Sequence, residues 1–135
     1  MNAHLRIARP VADLARSTAM YTAGLGLTVL GSFEDHDGFD GVMLGRPGAG
    51  YHVEFTHCRH HAVLPSPTPE DLWVFYRADA PAWRAACVAM LAAGFKRIGS
   101  FNPYWAVHGA TFADADGFRV VLQNAPNPTD PSLLK

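Results

Sequence analysis

Apolar and polar residues follow strand-like and helix-like periods in a fixed order along the first half of the chain. Strands are predicted at residues 5–11, 27–33, 41–46 and 51–56, with a helix between the first two. Asp13 stands where a helix N-cap is expected, and Gly24 and Gly26 suit the end of that helix. The apolar stripe of the helix is predicted at Leu14, Thr18, Tyr21 and Leu25. The order is β-α-β-β-β.

The second half of the chain shows the same order. Strands are predicted at residues 72–77, 94–99, 107–112 and 118–123. Asp79 and Pro81 begin the intervening helix, and Gly94 ends it. The buried stripe of this helix is predicted at Trp83, Cys87, Met90 and Leu91. The turn Asn102-Pro103 predicts a loop that carries Tyr104 and Trp105.

The two halves also share residues. Residues 94–101 match residues 26–33 at both glycines, the serine and the phenylalanine. Because each copy of a repeat needs a partner to cover its apolar face, two copies indicate a paired architecture. We therefore predict an α+β fold in one domain, residues 1–135, with module 1 at about 4–57, a connector at 58–70, module 2 at about 71–124 and a tail at 125–135.

Composition narrows the class of protein. The 135 residues carry 11 Lys and Arg against 12 Asp and Glu, with no basic run, so nucleic acid and acidic membrane surfaces are not expected partners. The two cysteines do not form a disulfide framework, and the amino terminus lacks the layout of a signal peptide. These features predict a cytoplasmic protein with no membrane span.

Three segments resemble signatures of one superfamily. They are Asp-Leu-Ala-Arg-Ser-Thr-Ala-Met-Tyr at 13–21, Leu-Gly-Leu at 25–27 and Phe-Ala-Asp-Ala-Asp-Gly-Phe-Arg-Val-Val-Leu at 112–122. In this order they resemble the vicinal oxygen chelate superfamily, which includes glyoxalase I, bleomycin-resistance proteins and extradiol dioxygenases. The similarity covers about residues 5–124. Asn-Pro-Tyr-Trp at 102–105 resembles a subgroup of that superfamily.

The resemblance implies two tandem βαβββ modules that pair into a cupped mixed sheet with the helices outside. It also implies a homodimer whose cavity holds either a divalent metal or a small organic ligand. The fold alone does not establish the function, because proteins with the same fold carry different functional sites.

The metal positions of the superfamily fall on residues that mostly lack a donor atom. The resemblance places the first on Arg6, the second on Glu54, the third on Leu72 or Trp73, and the fourth on Val121 or Leu122. Only Glu54 can bind a metal, and a catalytic site needs about three protein ligands. We therefore predict no metal and no other cofactor. A divalent metal remains possible through an alternative set, His52, Glu54 and His108.

Strand alternation predicts two polar rows inside the cup. His52, Glu54 and Thr56 form one row, and Arg119, Val121 and Gln123 form the other. Aromatic walls are predicted from Trp73, Phe75, Tyr104 and Trp105, with the core as the alternative place for the first two. The roles open to Glu54 are general base, partner of a cationic ligand, and structural ion pair with Arg6 or Arg119.

The leading functional hypothesis is metal-free binding of an organic ligand in an aromatic cup lined by Glu54 and Trp105. The predicted ligand-binding residues are His52, Glu54, Trp73, Phe75, Tyr104, Trp105, His108 and Arg119. The alternative is a divalent-metal-dependent lyase, isomerase or dioxygenase that uses Glu54 and non-standard histidines. A third hypothesis is metal-free acid–base catalysis by Glu54 with His52 or His108.

Overall fold

The computed structural model describes residues 1–133. The chain folds into two compact units. Unit 1 spans Met1–Ser66, and unit 2 begins at Pro67. Each unit has the order β-α-β-β-β and builds one four-stranded mixed sheet, with one added short helix in unit 2. The predicted α+β class and its two βαβββ modules are confirmed.

Unit 1 consists of four strands and one helix. They are β1 (Leu5–Pro10), α1 (Leu14–Leu25), β2 (Thr28–His36), β3 (Phe39–Gly45) and β4 (Tyr51–Cys58). The strand order in the sheet is β1-β4-β3-β2. β1 runs parallel to β4, and the other pairs are antiparallel. The first and last strands of the unit are therefore direct neighbours.

The ends of α1 follow the local signals. The Asp13 side chain accepts a hydrogen bond from the Arg16 amide at 3.0 Å, and Gly26 ends the helix at φ 68°, a conformation that residues with a Cβ disfavour. The buried face differs from the predicted stripe. It consists of Ser17, Met20, Tyr21 and Gly24, which shares only one residue with the prediction. Packing against the sheet sets the phase of the helix, and small residues allow the close approach.

An aromatic pair joins α1 to the sheet. The Tyr21 ring meets the Phe55 ring edge-on, with 4.9 Å between the centroids, and both side chains are fully buried. The Arg9 guanidinium donates to the Tyr21 hydroxyl at 2.6 Å. Burying each ring stabilises the unit by roughly 1.5–3 kcal/mol. α1 therefore covers the sheet face that carries Phe55 and leaves the opposite face without a helix of this unit.

Unit 2 consists of four strands and two helices. They are β5 (Leu72–Tyr76), α2 (Ala80–Ala92), β6 (Lys96–Ile98), α3 (Tyr104–Val107), β7 (Gly109–Ala113) and β8 (Arg119–Gln123). The strand order is β5-β8-β7-β6, with β5 parallel to β8. This topology repeats that of unit 1.

α2 begins at the predicted cap and packs on β8. The Asp79 side chain accepts from the Ala82 amide at 2.9 Å, and the Trp83 indole N–H donates to the Leu122 carbonyl at 2.8 Å. Met90 is fully buried, as its place in the predicted stripe requires, whereas Leu91 is 53% exposed. The fourth position of the predicted stripe therefore faces solvent.

Residues 104 and 105 form a helical turn where a loop was predicted. The Asn102 side chain accepts from the Tyr104 amide at 3.0 Å, and the Asn102 carbonyl accepts from the Trp105 amide at 3.1 Å. Pro103 already has helical angles, φ −59° and ψ −22°. A proline at a helix start loses no hydrogen bond, because the amides of the first turn have no partner within the helix.

The β7–β8 hairpin is closed by one side chain. The Asp114 Oδ1 accepts from the amides of Asp116 and Phe118, each at 2.9 Å, and Gly117 takes φ 90°. The chain beyond β8 includes a short 3-10 helix, Pro131–Leu133, and the last two residues of the predicted tail lie outside the described residues. Within residues 1–133, no helix is long and apolar enough to cross a membrane.

Candidate functional site

The helix-free face of the unit 1 sheet carries a cluster of charged and imidazole side chains. Arg6 on β1 pairs in register with His52 on β4, and Ala8 pairs with Glu54. Because side chains alternate along a strand, His52 and Glu54 point away from the face that Phe55 shares with α1. The predicted polar row of β4 is therefore present on one face. We name the four residues His4, Arg6, His52 and Glu54 the β1–β4 cluster.

Arg6 binds two members of this cluster at once. Its Nε–H donates to the Nε2 atom of His52 at 2.8 Å, and its Nη1 donates to the Oε2 atom of Glu54 at 3.2 Å. The structural ion pair between Arg6 and Glu54, one of the roles open to this carboxylate, is thus formed. The guanidinium is held at two points by residues of the neighbouring strand.

His4 extends the cluster and fixes its tautomers. Its Nε2 lies 2.6 Å from the Nδ1 of His52, and the two rings stack with centroids 4.8 Å apart. Since the Nε2 of His52 accepts from Arg6, the proton of a neutral His52 must sit on Nδ1 and be donated to His4. Protonation of His52 would place an N–H against the Arg6 N–H.

The pKa of His52 is lowered, in agreement with this network. Burial of the ring is the main cause, the Arg6 charge the next, and His4 adds to both, while Glu54 opposes them. His52 is therefore a neutral hydrogen-bond acceptor at pH 7. The ion pair of the cluster is formed by Arg6 and Glu54.

The two charges differ in exposure. The Glu54 side chain is 10% exposed, and that of Arg6 is 50% exposed. A ligand that approaches this face from solvent therefore meets the Arg6 guanidinium more readily than the Glu54 carboxylate.

Sequence reasoning overlooked His4 and treated Arg6 mainly as a lost metal ligand. The signal for both was their spacing, because His4 directly precedes β1 and lies two residues before Arg6, so alternation places both on one side. What the sequence lacked was the register that places His52 and Glu54 beside them.

A divalent metal, which the fold implies, does not fit the residues of this cluster. The Nε2 of His52 and the Oε2 of Glu54 already accept hydrogen bonds from a cation, Arg6, so a metal would have to displace the guanidinium. Within residues 1–133, no group of three or more His, Cys, Asp or Glu is placed to hold a metal ion. His108, the third residue of the alternative set, is exposed and lies directly after α3. His52 and Glu54 by themselves are fewer than the about three protein ligands that a catalytic metal site needs.

The predicted residues of β5 and β8 divide between the two faces of the unit 2 sheet. Trp73 pairs with Val120 and Phe75 pairs with Leu122, whereas Arg119 pairs with Leu72. Paired residues of neighbouring strands point to the same side, so the two aromatic side chains lie on the face opposite to Arg119. Arg119 shares its face with Val121 and Gln123, as alternation predicts.

Tyr104 and Trp105 form an aromatic pair on α3. Their rings meet at 89° with centroids 4.9 Å apart. Tyr104 is 64% exposed, and Trp105 is half-buried. The pair offers an angled aromatic surface in unit 2.

Unit 1 also contains a cavity of about 840 Å³ that lies apart from the β1–β4 cluster. It runs between the first turns of α1 and the sheet, next to an ion pair in which the Arg59 Nη2 lies 2.8 Å from the Asp40 Oδ1. The hydrogen bond to Arg59 holds the pKa of Asp40 below its usual value. Leu14 and Thr18, members of the predicted stripe, line this cavity, but no predicted site residue does.

The fold places the protein in a class of solved structures built from two tandem βαβββ units with mixed four-stranded sheets. The trypanothione-dependent glyoxalase I of Leishmania major shares this fold, with a TM-score of 0.71 and 20% identity over 93% of this chain and 88% of that chain. The fold expected from the family resemblance is confirmed.

The sequence defines the family within that class. The YycE-like N-terminal domain matches residues 5–56, and the YycE-like C-terminal domain matches residues 70–124. The chain belongs to the YycE-like family. It is 41% identical over 123 residues to the uncharacterized protein YycE of Bacillus subtilis (strain 168), covering 91% of this chain and 88% of that protein. A crystal structure of a YycE protein of unknown function from Bacillus subtilis matches with a TM-score of 0.88 and 39% identity, over 95% of this chain and 93% of that one.

Proposed function

We propose that this protein binds a small organic molecule on the β1–β4 cluster without a divalent metal. The observation that carries the proposal is the position of Arg6, which donates to both His52 and Glu54. These are two of the three side chains of the alternative metal set. A guanidinium supplies a permanent positive charge where a metal-dependent relative would hold an ion, and it cannot act as a metal ligand.

Binding is favoured over catalysis by the state of the cluster. His52 has both ring nitrogens in hydrogen bonds, and the Glu54 carboxylate is paired with Arg6, so neither group is poised to take a proton from a substrate. A preformed charged group on a sheet face that α1 leaves uncovered suits recognition, for which affinity alone is sufficient. This function is similar to that of the bleomycin-resistance branch of the superfamily.

Within unit 2 itself we propose a second group of ligand contacts. Tyr104 and Trp105 offer aromatic surface, and His108 and Arg119 offer polar groups. Trp73 and Phe75 share the opposite sheet face with Val120 and Leu122, which favours the core, the alternative place predicted for them. Loss of ligand affinity in Trp105→Leu, compared with Trp83→Phe as a control for tryptophan content, tests the aromatic contribution.

We also propose that the protein is a cytoplasmic homodimer, and that Asn-Pro-Tyr-Trp at 102–105 marks a subgroup of the superfamily. The homodimer and the subgroup come from the family resemblance, and the location comes from cysteine usage. Analytical ultracentrifugation of purified protein across a range of concentrations checks the dimer.

Metal analysis of tag-free protein tests the proposed function. We expect less than about 0.1 equivalent of Zn, Ni, Mn or Fe after purification, because a bound ion needs about three free donors. The same analysis of His52→Ala serves as the comparison. A stoichiometric metal in the wild type that is lost in this variant would overturn the proposal and favour the metal-dependent lyase, isomerase or dioxygenase.

A further inference from the structure

We infer that the small molecule bound by the β1–β4 cluster carries a carboxylate, which docks on the unpaired N–H groups of Arg6. This inference rests on the proposed function and names the class of ligand. It goes beyond that proposal because Glu54, the residue singled out from the sequence, becomes a support of the binding group.

The first argument is the number of unused donors on Arg6. A guanidinium has five N–H groups, of which the Nε–H goes to His52 and one Nη1–H goes to Glu54. Within residues 1–133, both hydrogens of Nη2 and the second hydrogen of Nη1 meet no acceptor. Adjacent N–H groups of one planar guanidinium match the two oxygens of a carboxylate.

The second argument is the placement of charge. Half of the Arg6 side chain is exposed, whereas the Glu54 side chain is 10% exposed and the Nε2 of His52 accepts from Arg6 and so carries no proton. An anionic group therefore meets an exposed cation and stays further from the buried carboxylate. A cationic ligand would face the guanidinium and would have to displace it to reach Glu54.

The third argument is preorganisation. Arg6 is a long side chain that ordinarily loses rotamer freedom when it binds a ligand. Here His52 and Glu54 already hold the guanidinium, and His4 in turn holds the His52 ring. The side chain of Arg6 therefore loses its rotamer freedom when the protein folds. Less conformational entropy is lost when the ligand binds, which favours affinity.

Three probes of one shape and different charge test this inference: benzoate, benzamide and benzamidinium. Each is titrated into tag-free protein at pH 7 while the backbone amide resonances of β1 and β4 are followed by NMR. We expect saturable shifts with benzoate and at least tenfold weaker binding of benzamide and benzamidinium. Such a ratio reflects loss of the charge-assisted hydrogen bonds.

Two variants, compared with a control, are expected to change benzoate affinity in opposite directions, which a purely structural role of these residues would not produce. Arg6→Lys keeps the charge but loses the planar pair of donors, so we expect benzoate affinity to fall roughly tenfold. Glu54→Gln keeps the shape and removes the negative charge behind Arg6, so we expect benzoate affinity to rise, roughly three- to tenfold. Arg46→Lys, at an exposed arginine of unit 1, should leave the affinity unchanged.

Binding of benzamide as strong as that of benzoate, absence of shifts with all three probes, or weaker benzoate binding by Glu54→Gln would each overturn the inference. Binding of benzamidinium that Glu54→Gln abolishes would also overturn it, but would leave metal-free binding of a small molecule in place. A stoichiometric metal in the tag-free protein would instead remove the proposed function itself.

Discussion

Arg6 donates its Nε hydrogen to the Nε2 of His52 across 2.8 Å, so this imidazole can accept that bond only while it is neutral. The side chains around the ring are Arg6, His4 and Glu54. Burial lowers the pKa of His52 most, and Arg6 and His4 lower it further. The relationship makes protonation of His52 and formation of the cluster mutually exclusive.

The first prediction is a loss of stability on acidification that depends on His52. Its pKa is lowered on folding from an ordinary value of 6.5, so the unfolded chain binds more protons in the window between the two values. The stabilisation is full above pH 6.5 and is lost as the pH falls through this window. The free energy of unfolding, measured by denaturant titration between pH 7.5 and pH 5, checks the slope.

His52→Gln supplies the comparison, because its side chain does not titrate. We expect a flatter dependence on pH in this variant over the same range. Carboxylates such as Asp40, whose pKa is also lowered, contribute mainly below pH 4 and affect both proteins alike. An identical slope in the wild type and the variant would contradict the prediction.

The second prediction concerns the ion pair between Arg6 and Glu54. Arg6→Met leaves a buried carboxylate without its partner, and we expect a loss of about 1–3 kcal/mol in the free energy of unfolding. The double variant Arg6→Met/Glu54→Met should lose less than the two single variants combined, because no unpaired charge remains. Arg46→Met, at an exposed position, should stay within about 0.5 kcal/mol of the wild type. Strict additivity of the two single variants would show that the residues are not coupled.

The third prediction concerns the helix caps at the start of α1 and α2. Asp13 and Asp79 each accept one amide hydrogen, from Arg16 and Ala82 respectively. Replacement of either aspartate by alanine should reduce the free energy of unfolding by about 1 kcal/mol. Glu70→Ala is the control, since Glu70 is exposed and begins no helix. Equal stabilities of all three variants would show that the caps contribute nothing.

The fourth prediction concerns the close approach of Phe33 to Gly41. The Phe33 ring occupies the space that a Cβ at residue 41 would need. Gly41→Ala should therefore cost roughly 1–3 kcal/mol through overpacking. Adding Phe33→Leu should recover part of the loss. Gly50→Ala, which meets nothing within 4 Å, is the matched control. A loss that is the same with and without Phe33 would point to the backbone instead.

Local signals in the sequence determined the order of elements and the starts of the two long helices. The internal repeat predicted two βαβββ units, Asp13 and Asp79 were identified as caps, and the hairpin turn ending at Gly117 was placed correctly. These features depend on residues that are neighbours along the chain, so the sequence alone was sufficient. The exception is the turn at 102–105, where Asn102 and Pro103 begin a short helix and do not continue a loop.

Tertiary structure decided which side chains meet. Arg6 and His52 are 46 residues apart, and only the parallel register of β1 with β4 makes them neighbours. The register likewise put Trp73 and Phe75 on the face opposite to Arg119, and packing against the sheet chose the buried side of α1. In a sheet, a shift of one residue moves every side chain to the other face, and that choice is made by the whole core. The sequence alone therefore singled out Glu54 with Arg6 and Arg119 as its possible partners, and the fold decided that Arg6 pairs with it.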